Sequence, residues 1–190
     1  MLWETSLLDP DVGIQFRGHT IPECQAKLPA AVPGGEPLPE GMLWLLLTGD
    51  MPTEGQVAQL SSDLRKRGAL PPYVAQVLDA MPRDTHPMTQ LTQGVLALQS
   101  SSEFAAAYAS GIHKSNYWKP YLEDSLDLIA KLPALAALIY RRTYHGGDLI
   151  AADPDLDWGA NLSHMMGFDG EEVKELMRLY LTIHRCARPT

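Results

Sequence analysis

The sequence predicts an all-α fold, multi-helical, with one short β-ribbon near the N-terminus. Three observations predict it. Apolar residues recur at spacings of three and four through most of the chain, and the periodic stretches end at Gly, Pro or capping residues. Only residues 13–21, GIQFRGHTI, alternate apolar and polar positions. At 190 residues, with 45% hydrophobic and 20% charged side chains, the chain has the composition of one globular domain or of part of a larger one.

Taken in order, Ile14, Phe16 and Ile21 around Gly18 predict a two-stranded ribbon. Residues 29–39 hold Pro29, Pro33, Gly34, Gly35, Pro37 and Pro39 and predict a surface loop rather than a linker, because apolar helical patterns flank them closely. Glu40 to Thr48, closed by Gly49, is the next helix. Thr53 to Arg67 follows, opened by Thr53 and Gln56 at capping-box spacing and closed by Gly68, with Val57, Leu60 and Leu64 on one face. Residues 72–81 carry Val74, Val77, Leu78 and Met81 into Pro82, which stops them. The next helix takes Pro87 into its first turn and aligns Met88, Leu91, Val95 and Leu98 until Ser100, Ser101 and Ser102 interrupt it. A short helix over 103–112 ends near Gly111.

The longest element runs from Tyr117 to Tyr144, starting near Pro120, bending at Pro133 and stopping at Gly146 and Gly147. Leu122, Leu126, Ile129 and Leu132 share one face, with Glu123, Asp124, Asp127 and Lys131 around the rest. From Pro133 to Tyr140 there is no charge, so this half needs cover on more than one side as core or interface. Its eight residues fall far short of the roughly 20 that span a bilayer. Arg141 and Arg142 suit the negative end of the helix dipole. Two further helices follow, Asp157 to Met166 before Gly167, and a segment opened by Asp169 and Glu172 that ends at Ile183 and His184.

The net charge of −8 argues against nucleic acid as a partner, since phosphate binding needs a concentrated basic face. The densest basic run, Arg65-Lys66-Arg67, sits at a helix C-terminus, where cations are favoured anyway. Cys24 and Cys186, far apart and without histidines at ligand spacing, indicate neither a zinc site nor a disulfide framework, and a reducing compartment fits. The start, MLWETSLLDPD, shows no targeting segment. Asp153, Asp155 and Asp157 imitate the opening of a calcium loop, but Trp158 and His164 stand where that loop needs Gly and Glu. Dinucleotide, P-loop, serine-hydrolase and zincin patterns are missing. Of six histidines, His184 stands at a helix C-terminus that favours its protonated form. His113 and Lys114, in GIHKSNYW, could meet an anionic ligand beside aromatics.

Several blocks carry a family resemblance in the right order: MLWETSLLDPD, GIQFRGHTIPECQ, PLPEGMLWLLLTGDMPT, HPMTQL, GIHKSNYW, EDSLDLIAKLP and ELMRLYLTIH. They span residues 1–184. On these the chain resembles the citrate synthases of the eukaryotic mitochondrial type, plant and algal members above all. The resemblance implies that residues 1–184 are part of the large helical domain of a homodimer, that residues 185–190, RCARPT, diverge, and that the family's N-terminal segment is missing. It implies a mitochondrial matrix location and condensation of acetyl-CoA with oxaloacetate, with no cofactor. In that reaction an Asp removes a methyl proton while histidines and arginines hold the developing oxyanions and the carboxylates. None of the catalytic positions falls in this sequence, so the isolated chain is expected to be inactive. His184 matches a histidine near oxaloacetate, and Lys114 a basic position that contacts CoA phosphate from the neighbouring subunit. Dimer contacts are expected from the helices around Met88–Leu98 and Tyr117–Tyr144. The alternative is a non-enzymatic helical module that pairs with itself or with a full-length subunit.

Overall fold

The structure, a computed structural model, describes residues 6–183. Among these are a small antiparallel sheet and nine α-helices, none long and apolar enough to cross a membrane. The chain divides into two compact units. Of the described residues, one comprises 6–62, 155–163 and 168–183, and the other 63–154 and 164–167.

In the first unit the ribbon has three strands, not two. β1 (Ser6–Asp9) pairs with β2 (Gly13–Phe16), which pairs with β3 (His19–Thr20), placing Leu8 opposite Ile14 and Phe16 opposite His19. Arg17 and Gly18 join β2 to β3 with positive φ of 50° and 83°, the backbone twist that a tight hairpin needs. The Arg17 guanidinium then reaches the Leu46 carbonyl through Nε (3.0 Å) and Nη2 (2.6 Å).

Ile21, expected in the ribbon, instead opens α1 (Ile21–Lys27), a helix the apolar periodicity did not announce because it is only two turns long. Its signal was the capping box. Thr20 N–H donates to Glu23 Oε2 at 2.9 Å while the Thr20 hydroxyl accepts from Glu23 N–H at 3.4 Å. α2 (Pro39–Thr48) ends, as expected, on Gly49 at φ 84°. Phe16, Cys24, Leu28, Met42, Leu45 and Leu46 form this unit's core. Cys24 is a free thiol, whose pKa burial raises; Cys186 lies outside the described residues.

α3 (Glu54–Arg67) has the predicted cap, with Thr53 N–H donating to Gln56 Oε1 at 2.8 Å. The second unit is built on α4 (Pro72–Asp79), α5 (Pro87–Ala97), α6 (Glu103–Ala109) and α7 (Trp118–Tyr144). α4 and α6 stop at Asp79 and Ala109, short of the predicted ends at 81 and near Gly111. α7 starts two residues before Pro120 and stays helical through Pro133. Its uncharged half is covered as expected, with Pro133, Leu135, Ala137, Leu138 and Ile139 all buried. Val74 and Leu78 of α4 complete that core, and Leu91 and Val95 of α5 pack on it. Met88, assigned to the same stripe of α5, is 60% exposed, while Gln90 in the same turn is fully buried.

Two charged residues of α7 also depart from expectation. Lys131, placed on the wet side, is only 9% exposed and pairs with Asp127 at 2.8 Å. Arg142 stands in the last turn, as expected, but is buried there: Nη1 donates to Gln90 Oε1 at 3.0 Å and Nη2 to the Met81 carbonyl, with Asp79 3.5 Å from Nε.

Candidate functional site

The turn that carries Lys114 is set up from both sides. Upstream, Asp124 of α7 reaches across to the start of α6, where Oδ1 accepts from Glu103 N–H (2.7 Å) and Oδ2 from Phe104 N–H (3.2 Å) and the Ser102 hydroxyl (2.5 Å). The Ser102 hydroxyl itself caps Ala105 N–H at 3.0 Å. α6 is thereby held at its first turn by a carboxylate from another helix, which suits the dipole. Gly111, at φ 81°, lets the chain turn back, and His113 caps the single 3-10 turn Lys114–Asn116, its Nδ1 accepting from Ser115 N–H at 3.3 Å. His113 and Lys114 are both exposed.

Behind this turn lies an open cleft of about 420 Å³ whose wall includes Glu103, Ala107, Ile112, Trp118, Lys119 and Glu123. Phe104 anchors an aromatic cluster beside it, edge-on to Tyr117 (5.4 Å) and Tyr121 (6.1 Å). Lys119 Nζ stands 5.7 Å from the Trp118 ring centroid. Glu123 is taken up by Arg67 at 2.6 Å, and Arg67 also binds Asp127 at 2.8 Å. Those hydrogen bonds raise the Arg67 pKa further above its ordinary value. His113 and Lys114 are not part of that wall, which carries one cation, Lys119, and two carboxylates, Glu103 and Glu123. No three His, Cys, Asp or Glu side chains converge on a metal position among the described residues.

The other predicted residue, His184, lies outside the described residues, directly after α9 (Glu171–Ile183). α9 is anchored firmly. Arg178, 4% exposed, donates to Asp157 Oδ2 from Nε (3.1 Å) and Nη2 (2.6 Å), and Nη1 donates to Glu175. Burial alone would lower the guanidinium pKa, and the two carboxylates outweigh it, so the net shift is upward. The Thr182 hydroxyl donates to the Pro37 carbonyl at 3.2 Å. Asp157 also caps α8 (Trp158–Met166), its Oδ1 accepting from Gly159 and Ala160 N–H at 3.1 and 2.9 Å.

The sequence reading missed a buried acid in the same unit. Glu40, in the first turn of α2, is fully buried; Oε1 accepts from the Ser61 hydroxyl (2.9 Å) and Trp158 N–H (3.0 Å), while Oε2 has no partner. One signal could have found it, as Glu40 is the only charge in the otherwise apolar stretch PEGMLWLLLT.

Residues 1–185 match the sequence model of the family described as citrate synthase, C-terminal domain. The chain belongs to the citrate synthase family. It is 61% identical over 184 residues to mitochondrial citrate synthase 4 of Arabidopsis thaliana and 60% identical to the mitochondrial citrate synthase of Daucus carota, covering 97% of this chain and 39% of each relative. The chain thus spans about two-fifths of the length of these citrate synthases. Among solved structures, the citrate synthase of Pyrobaculum aerophilum superposes with a TM-score of 0.82 at 23% identity, over 98% of this chain and 45% of that one. That of Thermoplasma acidophilum, a ternary complex with carboxymethyl coenzyme A and oxaloacetate, gives 0.77 at 15%, over 100% and 46%. At such identities these two structures show that the citrate synthase fold is shared, and it is all-α as expected.

Proposed function

We propose that this chain is part of the large domain of a mitochondrial citrate synthase, in which residues 1–184 supply scaffold and ligand contacts for the condensation of acetyl-CoA with oxaloacetate, and residues 185–190 diverge. The observation that carries the reading is the family match over residues 1–185 together with about 60% identity to plant mitochondrial enzymes. The substrate pair is supported by the ligands of the Thermoplasma acidophilum enzyme. No cofactor enters the proposed reaction, since acetyl-CoA is itself a substrate. Exposed and cationic, Lys114 has the chemistry to meet a CoA phosphate, and His184 is assigned to the neighbourhood of oxaloacetate. Exposed Met88 and Leu96 on α5, with Trp118 and Tyr121 on α7, support homodimer contacts through these two helices. Family membership favours this reading over a stand-alone pairing module.

The proton-abstracting Asp and the carboxylate-binding arginines have no counterparts in the sequence, so the chain alone is expected to form no citrate. Following CoA thiol release from acetyl-CoA with and without oxaloacetate checks this. Oxaloacetate-dependent turnover by the pure chain would overturn the assignment of the catalytic groups to residues outside it.

A further inference from the structure

Glu40 is fully buried and reads as more than a structural acid. It sits where three elements of one unit meet: its own helix α2, Ser61 on α3 and the Trp158 N–H that opens α8. Both donors converge on Oε1, both are neutral, and Oε2 is left without a hydrogen bond in a fully buried side chain. From α2 and α3, Glu40 and Ser61 are the groups in this contact. From the α8 side the charged neighbour is Asp157, a carboxylate whose Oδ2 is held by Arg178 of α9, itself bonded to Glu175. A buried carboxylate with one oxygen unsolvated and an acid rather than a base beside it is an unfavourable anion.

We propose that Glu40 is a pH-responsive latch: as a neutral acid it fastens the first turn of α8 to α2 and α3, and its ionisation opens that turn so that water can reach Oε2. The helix ends around it work against this, since the starts of α2 and α8 both favour negative charge. Burial is the larger effect. It pushes the Glu40 carboxyl above the ordinary glutamate value, with Asp157 adding to it, against the opposing hydrogen bonds from the Trp158 backbone N–H and the Ser61 hydroxyl. A carboxyl raised in this way stabilises the fold fully below its unfolded value, about 4.3. That contribution is lost as pH rises through the folded value.

The test is a carbon-13 NMR titration of the Glu40 carboxyl in the whole chain, with hydrogen exchange at the amides of Trp158, Gly159 and Ala160, corrected for intrinsic rates. The expected result is a Glu40 midpoint well above the ordinary value, with several-fold loss of protection at those amides over the same pH range. In Glu40→Gln that pH-linked loss should vanish. Ser61→Ala, which keeps the carboxyl and removes one donor to the anion, should move the midpoint further up, and it keeps the proposal testable if Glu40→Gln fails to fold. An ordinary glutamate midpoint, an upward-shifted midpoint without any change at α8, or a downward move in Ser61→Ala would each overturn it.

Discussion

Gly94→Ala is the sharpest probe of how α5 meets α7. A Cβ at position 94 would lie 2.5 Å from Leu135 Cδ1, 3.0 Å from Cδ2 and 3.3 Å from Cγ. Carbon atoms in packed cores sit about 3.5–4.0 Å apart, so the Leu135 tip would have to retreat by about 1 Å. A surface leucine would rotate away. Leu135 is fully buried among Val74, Leu78, Leu138 and Ile139, so the displacement passes to neighbours that are themselves packed.

Overpacking of this kind costs about 1–3 kcal/mol, while Ala over Gly in a helix interior returns about 1 kcal/mol. The net expectation is a loss of about 0–2 kcal/mol. Gly55→Ala on α3, with no heavy atom within 4 Å of its added Cβ, isolates the helix preference and is expected to be neutral or stabilising by up to about 1 kcal/mol. Leu135→Ala alone should cost about 2–5 kcal/mol through its cavity. In the double variant the methyl added at position 94 occupies part of that space. Urea denaturation of the four chains should therefore give a double-mutant loss smaller than the sum of the single losses by about 1 kcal/mol or more. Additivity within about 0.5 kcal/mol, or a Gly94→Ala gain as large as that of Gly55→Ala, would refute the claim that Gly94 is required by this contact.

Arg178→Ala should cost about 3–5 kcal/mol in thermal or urea denaturation, because it strands the nearly buried Asp157 carboxylate without its guanidinium; a loss under about 1 kcal/mol would show that the pair does not hold α9. Asp127 gives a pH prediction of opposite sign to Glu40: burial pushes its pKa up, but Lys131 and Arg67 outweigh burial and leave it below the ordinary aspartate value. Its contribution is therefore present above the unfolded value and lost as pH falls below about 4 through the lower folded value, so Asp127→Asn should flatten the acid limb of stability against pH. An unchanged acid limb in that variant would show the group is not depressed.

How much of the site could be read in the sequence follows from the range of its contacts. The Lys114 turn was legible, since Gly111, His113 and the aromatics after it are neighbours in the chain. What holds that turn in place was not, because Asp124 grips residues 20–22 positions earlier. His184 was assigned by its block alone and lies outside the described residues. The helices that the periodicity announced were found, with the caps at Thr53 and Gly49, because these depend on residues within one turn of each other. α1 escaped because two turns give too little period, although its Thr20–Glu23 box was there to be seen.

The sequence by itself determined the helical class, the positions of the longer helices and the family, since each of these rests on local pattern or on blocks kept in order. Tertiary structure alone decided which charges go inside. Glu40 is buried because Ser61 and Trp158, 21 and 118 residues away, close over it. Arg178 is buried because Asp157 waits 21 residues upstream, Lys131 folds onto its own helix, and Met88 faces out from a stripe that otherwise faces in. A charge or an apolar side chain carries the same local signal whether or not a distant partner covers it, and burial is set by that partner.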